Sequence, residues 1–152
     1  FAADAPAAYV LRVESLFGRA PNGPAAKGSV AMIVRGLKAG EVPKVFGDRT
    51  VSPTYIIDAA RATRQLIERR VRPGLYHSVS SGCCTWAAFA EEAARLLGIE
   101  PRLDVVRVAD VPLRASRPPY CALSNRKLRT VGIEMPTWQD ALARYLREEA
   151  PA

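Results

Sequence analysis

Arg117-Pro118-Pro119-Tyr120-Cys121-Ala122-Leu123-Ser124-Asn125-Arg126-Lys127-Leu128 sets a guanidinium beside two prolines and closes on a polar run that includes a lysine. Arginine is always charged, and its rigid fork of donors fits a phosphate or a carboxylate. Prolines stiffen the turn, so less freedom is lost when an anion docks. The residues therefore read as an anion-binding loop, for a group such as a diphosphate. The competing reading of Arg117 is a surface ion pair. Ser52 and Thr54 flank Pro53 just ahead of a helical pattern. They read either as helix caps or as part of a helix start whose open N–H groups face an anion.

The remaining reactive side chains carry less. His77 is the one histidine and sits in a strand pattern beside Tyr76, where a structural role is expected. Asp58 reads as a charge at a helix start. Asp104 and Asp110 show no paired-carboxylate pattern. Trp86, Phe89 and Trp138 are spaced as core. Cys83, Cys84 and Cys121 make an odd count with two adjacent, which suits free thiols in a reducing cytoplasm and no disulfide framework. With a single histidine the spacing predicts no metal site.

The elements that would position these groups alternate. Tyr9–Val13 reads as a buried strand, Arg19–Gly28 as a loop, and Ser29 as the cap of a helix with Val30, Ile33, Val34 and Leu37 on one face, ended by Gly40. A strand at Val42–Phe46, a helix from Tyr55 to about Arg70 and a strand at Leu75–Ser80 follow. Thr85 caps a helix that Gly98 stops. Leu103–Val108 is a strand and Leu123–Leu128 a helical turn. Thr137 opens a capping box and the last helix. Strand–helix alternation without internal repeats predicts an α/β fold.

Composition bounds the partners. The chain of 152 residues has 49% hydrophobic and 24% charged residues, within the range of globular domains. No apolar run is long enough for a membrane span, and no leader pattern opens the chain. The net charge is +7. However, Arg61, Arg64, Arg69, Arg70 and Arg72 are spread around one helix, and Arg144 and Arg147 lie on another. No basic stripe with interleaved aromatics forms, so a solvated surface is expected rather than a nucleic-acid interface. The excess positive charge would favour an anionic ligand.

Taken in order, three segments resemble one family: Gly47-Asp48-Arg49-Thr50-Val51-Ser52-Pro53-Thr54-Tyr55-Ile56-Ile57-Asp58-Ala59-Ala60; Gly74-Leu75-Tyr76-His77-Ser78-Val79-Ser80-Ser81-Gly82 with Thr85-Trp86-Ala87-Ala88-Phe89-Ala90; and the Arg117 loop. They resemble the C-terminal, substrate-binding half of the dTDP-4-dehydrorhamnose reductase family, within the extended short-chain dehydrogenase/reductases. The resemblance runs from about Tyr9 to about Leu146. It implies the C-terminal part of a Rossmann-like NAD(P)-binding fold plus a small substrate-binding subdomain, with the N-terminal half absent. Residues 1–152 would form a single substrate-binding portion, in which about 8–18 and 74–82 add strands to the truncated sheet. Val42–Phe46 and Leu103–Val108 would belong to the small subdomain. One sheet edge would be open, which favours association with another chain or partial disorder.

The resemblance implies a function too. The family reduces the C4 keto group of a dTDP-sugar, in dTDP-L-rhamnose biosynthesis, with NADPH or NADH. Substrate-binding residues would be Arg117, Ser15, Thr54 and Ser52, with Arg117 at the diphosphate and Ser15 at the end of a strand near the sugar. Ser15 could equally bond local backbone. Leu16 stands where the family often has Trp, and Cys121 where it commonly has a small hydroxyl residue. The cofactor fingerprint, a glycine-rich strand-to-helix turn, is missing, and no Tyr has a Lys four residues on. No catalytic residue is therefore expected in this chain, no cofactor is expected bound to it, and the chain by itself is expected to be inactive, so whether it counts as an enzyme is left open. The expected partners are a dTDP-sugar and the missing N-terminal Rossmann half, in the cytoplasm. Two alternatives stand beside this reading: a non-catalytic regulatory relative of the same fold, and another sugar-nucleotide epimerase or reductase.

Overall fold

Apolar residues three and four apart build the helices, and the best-defined starts are threonines. Thr85 and Thr137 each accept the N–H three residues on, from Ala88 at 3.1 Å and Asp140 at 3.2 Å. Each thereby satisfies a donor that the first turn would leave open. Gly98 ends the first of these helices in the left-handed conformation at φ 67°. The structure is a computed structural model that describes residues 7–20, 23 and 26–149. Pro21, Asn22, Pro24 and Ala25 of the expected Arg19–Gly28 loop lie outside the described residues.

Over the described residues the chain runs β1 (Tyr9–Arg12), β2 (Leu16–Phe17), α1 (Ser29–Lys38), β3 (Lys44–Phe46), β4 (Thr50–Val51), β5 (Thr54–Tyr55), α2 (Ile56–Glu68), β6 (Gly74–His77), β7 (Cys84–Thr85), α3 (Trp86–Leu97), β8 (Asp104–Val106), a 3-10 turn at Val108–Asp110, α4 (Arg126–Thr130) and α5 (Trp138–Glu148). Strands pair two by two: β1 with β6, β2 with β5 and β3 with β8 in parallel, and β4 with β7 antiparallel. In the longest ladder Tyr9 faces Gly74 and Arg12 faces His77.

Several expected boundaries move. Ser29 is the first helical residue, and the cap is Gly28, which offers no side chain. Thr54 does not cap α2: its hydroxyl donates to the Ser52 carbonyl at 2.9 Å, and the helix starts at Ile56 with no side-chain cap. The first strand ends at Arg12, and Val13 is 42% exposed. The full two-sided cover that an apolar strand calls for is not reached, because β1 is partly open along its length.

The main core gathers aromatic rings between α3, α5 and the β2–β5 pair. Phe17 stacks on Tyr55 at 5.5 Å and meets Tyr145 edge-on at 5.5 Å. Phe89 lies between Trp86 and Trp138 at 5.8 and 5.7 Å. Such pairs add about 1 kcal/mol each beyond burial. Gly18 permits this packing. It holds φ 109°, and a Cβ there would stand 2.5 Å from the Tyr55 ring. A second cluster of Ala62, Leu66, Tyr76, Leu128, Ile133 and Met135 lies under α2 and α4.

Candidate functional site

Two neighbouring cavities share a wall. The larger, about 680 Å³, runs along α1 and β3 past Met32, Ile33, Val42, Pro43 and Lys44. The smaller, about 400 Å³, is bounded by Glu14, Ser15 and Leu16 of the β1–β2 turn and by Leu113 and Arg117. Ser29, Phe46, Arg49 and Trp86 line both.

Each wall has a local cause. The segment 48–52 acts as a spine for the long loop that carries Leu113 and Arg117. Asp48 accepts the Val108 N–H at 3.0 Å, Thr50 donates to the Pro119 carbonyl at 2.8 Å, and Cys121 donates back to the Thr50 carbonyl at 2.8 Å. Ser52 Oγ accepts the Leu123 N–H at 3.1 Å. The loop tip is exposed while both its ends are pinned. The β1–β2 turn is held by Glu14, whose carboxylate accepts from the Ser52 N–H and from the Ser15 hydroxyl. Ser15 sits at φ 42°, a conformation that costs a residue with a side chain about 1 kcal/mol.

The four residues singled out from sequence divide. Ser15 and Arg117 meet on one cavity. Ser52 and Thr54 are fully buried, one layer in. Their hydroxyls serve the loop at Leu123 and the Ser80 N–H, the latter at 3.2 Å. Arg49 and the edge of Trp86 were passed over. Trp86 is 6% exposed, so its spacing as core held, but its remaining surface faces both cavities. A charged residue in the short connection after β3 was the available signal for Arg49.

The buried carboxylate of α2 is matched inside the chain. Asp58, 2% exposed, receives Arg144 through Nη1 at 3.1 Å and Nη2 at 2.5 Å, so it is more than a helix-start charge. That pairing, chiefly its hydrogen bonds, holds the Arg144 pKa above the usual value. Tyr55 donates to Glu148, and burial with this contact raises its pKa. His77 Nδ1 lies 3.2 Å from the Ser124 carbonyl, a bridge between β6 and the chain ahead of α4. Cys84 is buried, and burial first, then Cys83 and Glu14, pushes its thiol up to about 12. All three cysteines are free. Among the described residues no three His, Cys, Asp or Glu side chains gather as a metal site would require, and no helix is long and apolar enough to cross a membrane.

Among the described residues the glycine-rich turn that would cradle a dinucleotide pyrophosphate is not found. Gly18, Gly28, Gly40, Gly74, Gly82, Gly98 and Gly132 hold positive φ, but none opens a glycine-rich strand-to-helix turn. The residues four beyond the five tyrosines are Val13, Ala59, Ser80, Ser124 and Glu149.

The sequence matches the family described as RmlD substrate binding domain over residues 2–150. It is 35% identical over 109 residues to the spore coat polysaccharide biosynthesis protein SpsK of Bacillus subtilis, covering 72% of this chain and 38% of that protein. It is 33% identical over 150 residues to a dTDP-4-dehydrorhamnose reductase of Mycobacterium tuberculosis, covering 97% of this chain and 47% of that protein. In three dimensions it resembles the dTDP-4-dehydrorhamnose reductase of Bacillus anthracis solved in complex with NADP, with a TM-score of 0.79 and 26% identity over 93% of this chain and 48% of that one. The chain thus spans about half the length, or less, of the curated relatives it matches, and its mixed α/β fold with parallel strands is that of Rossmann-like reductases.

Proposed function

The chain belongs to the RmlD substrate binding domain family, and from that premise we propose that it supplies the sugar-nucleotide-binding half of a dTDP-4-dehydrorhamnose reductase. In this reading Arg117 holds the diphosphate and Ser15 stands near the sugar. Ser52 and Thr54 act one layer behind by fixing the loop and the turn. The strands within 8–18 and 74–82 join a larger sheet. The reductant and the proton donor are held by a partner N-terminal Rossmann half, and this chain positions the keto sugar against them. Positioning of this kind lowers the barrier by removing freedom before the reaction begins.

The observation that carries the proposal is the meeting of Ser15 and Arg117 on one cavity, although they are far apart in the chain. A thermal-shift panel of dTDP-, UDP- and GDP-sugars tests it, since a ligand that binds only the folded state raises its stability. The dTDP-sugars are expected to give the largest rise in Tm, and Arg117→Gln to reduce it. Equal or absent shifts for all three nucleotides would overturn the proposal. Leu16, 46% exposed on the same cavity, favours a second reading in which the nucleotide is the same and the sugar differs. A dTDP-sugar other than the 4-dehydrorhamnose giving the larger shift would select it.

A further inference from the structure

We infer that Arg49 is a second cation for the diphosphate of a bound nucleotide, and that it sets a preference for nucleoside diphosphate over monophosphate. The inference rests on the sugar-nucleotide reading above and adds a residue which that reading does not use.

Arg49 lines both cavities, at the place where they adjoin. Its hydrogen-bonding capacity is largely unspent. A guanidinium has five N–H donors. Among the described residues Nε of Arg49, shut off from solvent, has no acceptor, and Nη2 reaches only the Cys121 Sγ at 3.7 Å. A thiol sulfur is a weak acceptor. Among the described residues no carboxylate lies within ion-pair distance of Arg49. A half-buried cation without an acceptor is costly, and an anion entering the cavity would supply what is missing.

The side chain is also held ready. Its neighbours Asp48 and Thr50 are both bonded to the loop that carries Arg117. Cys121, which touches Arg49, donates in turn to the Pro118 carbonyl at 3.5 Å. Arg49 and Arg117 are thus linked through one short stretch of chain, so little freedom remains to be lost when both close on an anion. Among the described residues the one carboxylate on the smaller cavity, Glu14, is turned to the Ser52 N–H and the Ser15 hydroxyl. Glu41, on the larger cavity, is accompanied by Arg35 and Lys44. Ser29 and Val30 bring the start of α1, where no side chain caps the open N–H groups, and this adds positive potential at the same wall. Two separated guanidinium groups suit two linked phosphates better than one.

Calorimetric titration of the chain with dTDP, dTMP and thymidine tests this, in the unaltered protein and in Arg49→Gln, Arg49→Lys and Arg117→Gln. In Arg49→Gln the dTDP affinity is expected to fall about tenfold, as the loss of a charge-assisted contact implies. Thymidine binding should stay unchanged, and the preference for dTDP over dTMP should shrink. Arg49→Lys, which keeps the charge and loses the fork, should fall between. It carries the test if the glutamine variant fails to fold. Wild-type dTDP affinity in Arg49→Gln would overturn the inference, and so would equal losses for dTDP and thymidine, the mark of a wall residue. If Arg117→Gln weakens dTDP and Arg49→Gln does not, only this inference falls. If the unaltered chain binds no thymidine nucleotide, the sugar-nucleotide reading falls with it.

Discussion

Arg144 on α5 gives Nη1 and Nη2 to Asp58 and Nε to Asp140 at 2.9 Å, while Arg49 on the cavity wall finds one sulfur at 3.7 Å. Arg144 lies over the Tyr55 ring and is satisfied within the chain, whereas Arg49 lines the cavities beside Trp86 and finds no carboxylate among the described residues. The Asp58–Arg144 contact ties α2 to α5 and is backed by Tyr55 donating to Glu148. It fastens elements and leaves little for a ligand. The cavity wall, in contrast, keeps two guanidinium groups and an uncapped helix start without carboxylate partners among the described residues. Charge that is matched internally reports on stability, and charge that is left unmatched beside a cavity reports on binding.

The comparison breaks most visibly at Asp58. Asp58→Ala removes the buried partner of Arg144 and is expected to cost about 3 kcal/mol. The low end of the range for a broken buried pair applies, because Arg144 keeps Asp140. Urea unfolding measures it, and dTDP affinity of the folded fraction should not change. Arg117→Gln should do the opposite, leaving the unfolding midpoint in place and weakening dTDP about tenfold. If the two variants moved stability and affinity together, the division between fastening and binding charge would fail.

How much of this was legible in the sequence follows the same division. The four longer helices announced themselves because their apolar residues repeat at helical spacing and because Thr85, Thr137 and Gly98 punctuate them. Strands β2, β4, β5 and β7 hold two residues each, too few to show a period, and they exist because the tertiary fold brings them together. Asp58 read as a helix-start charge because its partner lies 86 residues away, beyond any local pattern. Ser52 and Thr54 were singled out by type, but the same hydroxyls that suit a ligand also suit a buried turn, and only the fold shows that they face inward. Arg49 was one arginine among many until the structure put it beside a cavity without a partner.

Alkaline pH sharpens the core side of the comparison. The Cys84 thiol is raised from an ordinary value of 9.0 to about 12 by burial. A raised value means that the folded state keeps its proton longer than the unfolded state does. The contribution is complete below pH 9 and is lost as pH rises from 9 towards 12, with about 1 kcal/mol gone by pH 10. Tyr55 and Tyr145, also raised by burial, add losses above pH 10. Thermal unfolding against pH should therefore fall more steeply for the unaltered chain than for Cys84→Ala between pH 9 and 10. Parallel curves would mean that the thiol does not feel the core.

The smallest effect lies at Ser15, on the cavity side, whose φ of 42° favours glycine and whose hydroxyl serves Glu14. Ser15→Gly relieves the backbone but frees the unfolded chain and loses the hydroxyl, so a net change within about 0.5 kcal/mol is expected. Ser15→Ala keeps the strained backbone and loses the hydroxyl, so it should be less stable than Ser15→Gly by about 1 kcal/mol. Both should weaken dTDP less than Arg117→Gln does, because a neutral contact contributes less than a charged one. If Ser15→Ala instead lost more dTDP-sugar affinity than Arg117→Gln while binding free dTDP normally, the sugar end of the cleft, and not its charge, would govern recognition.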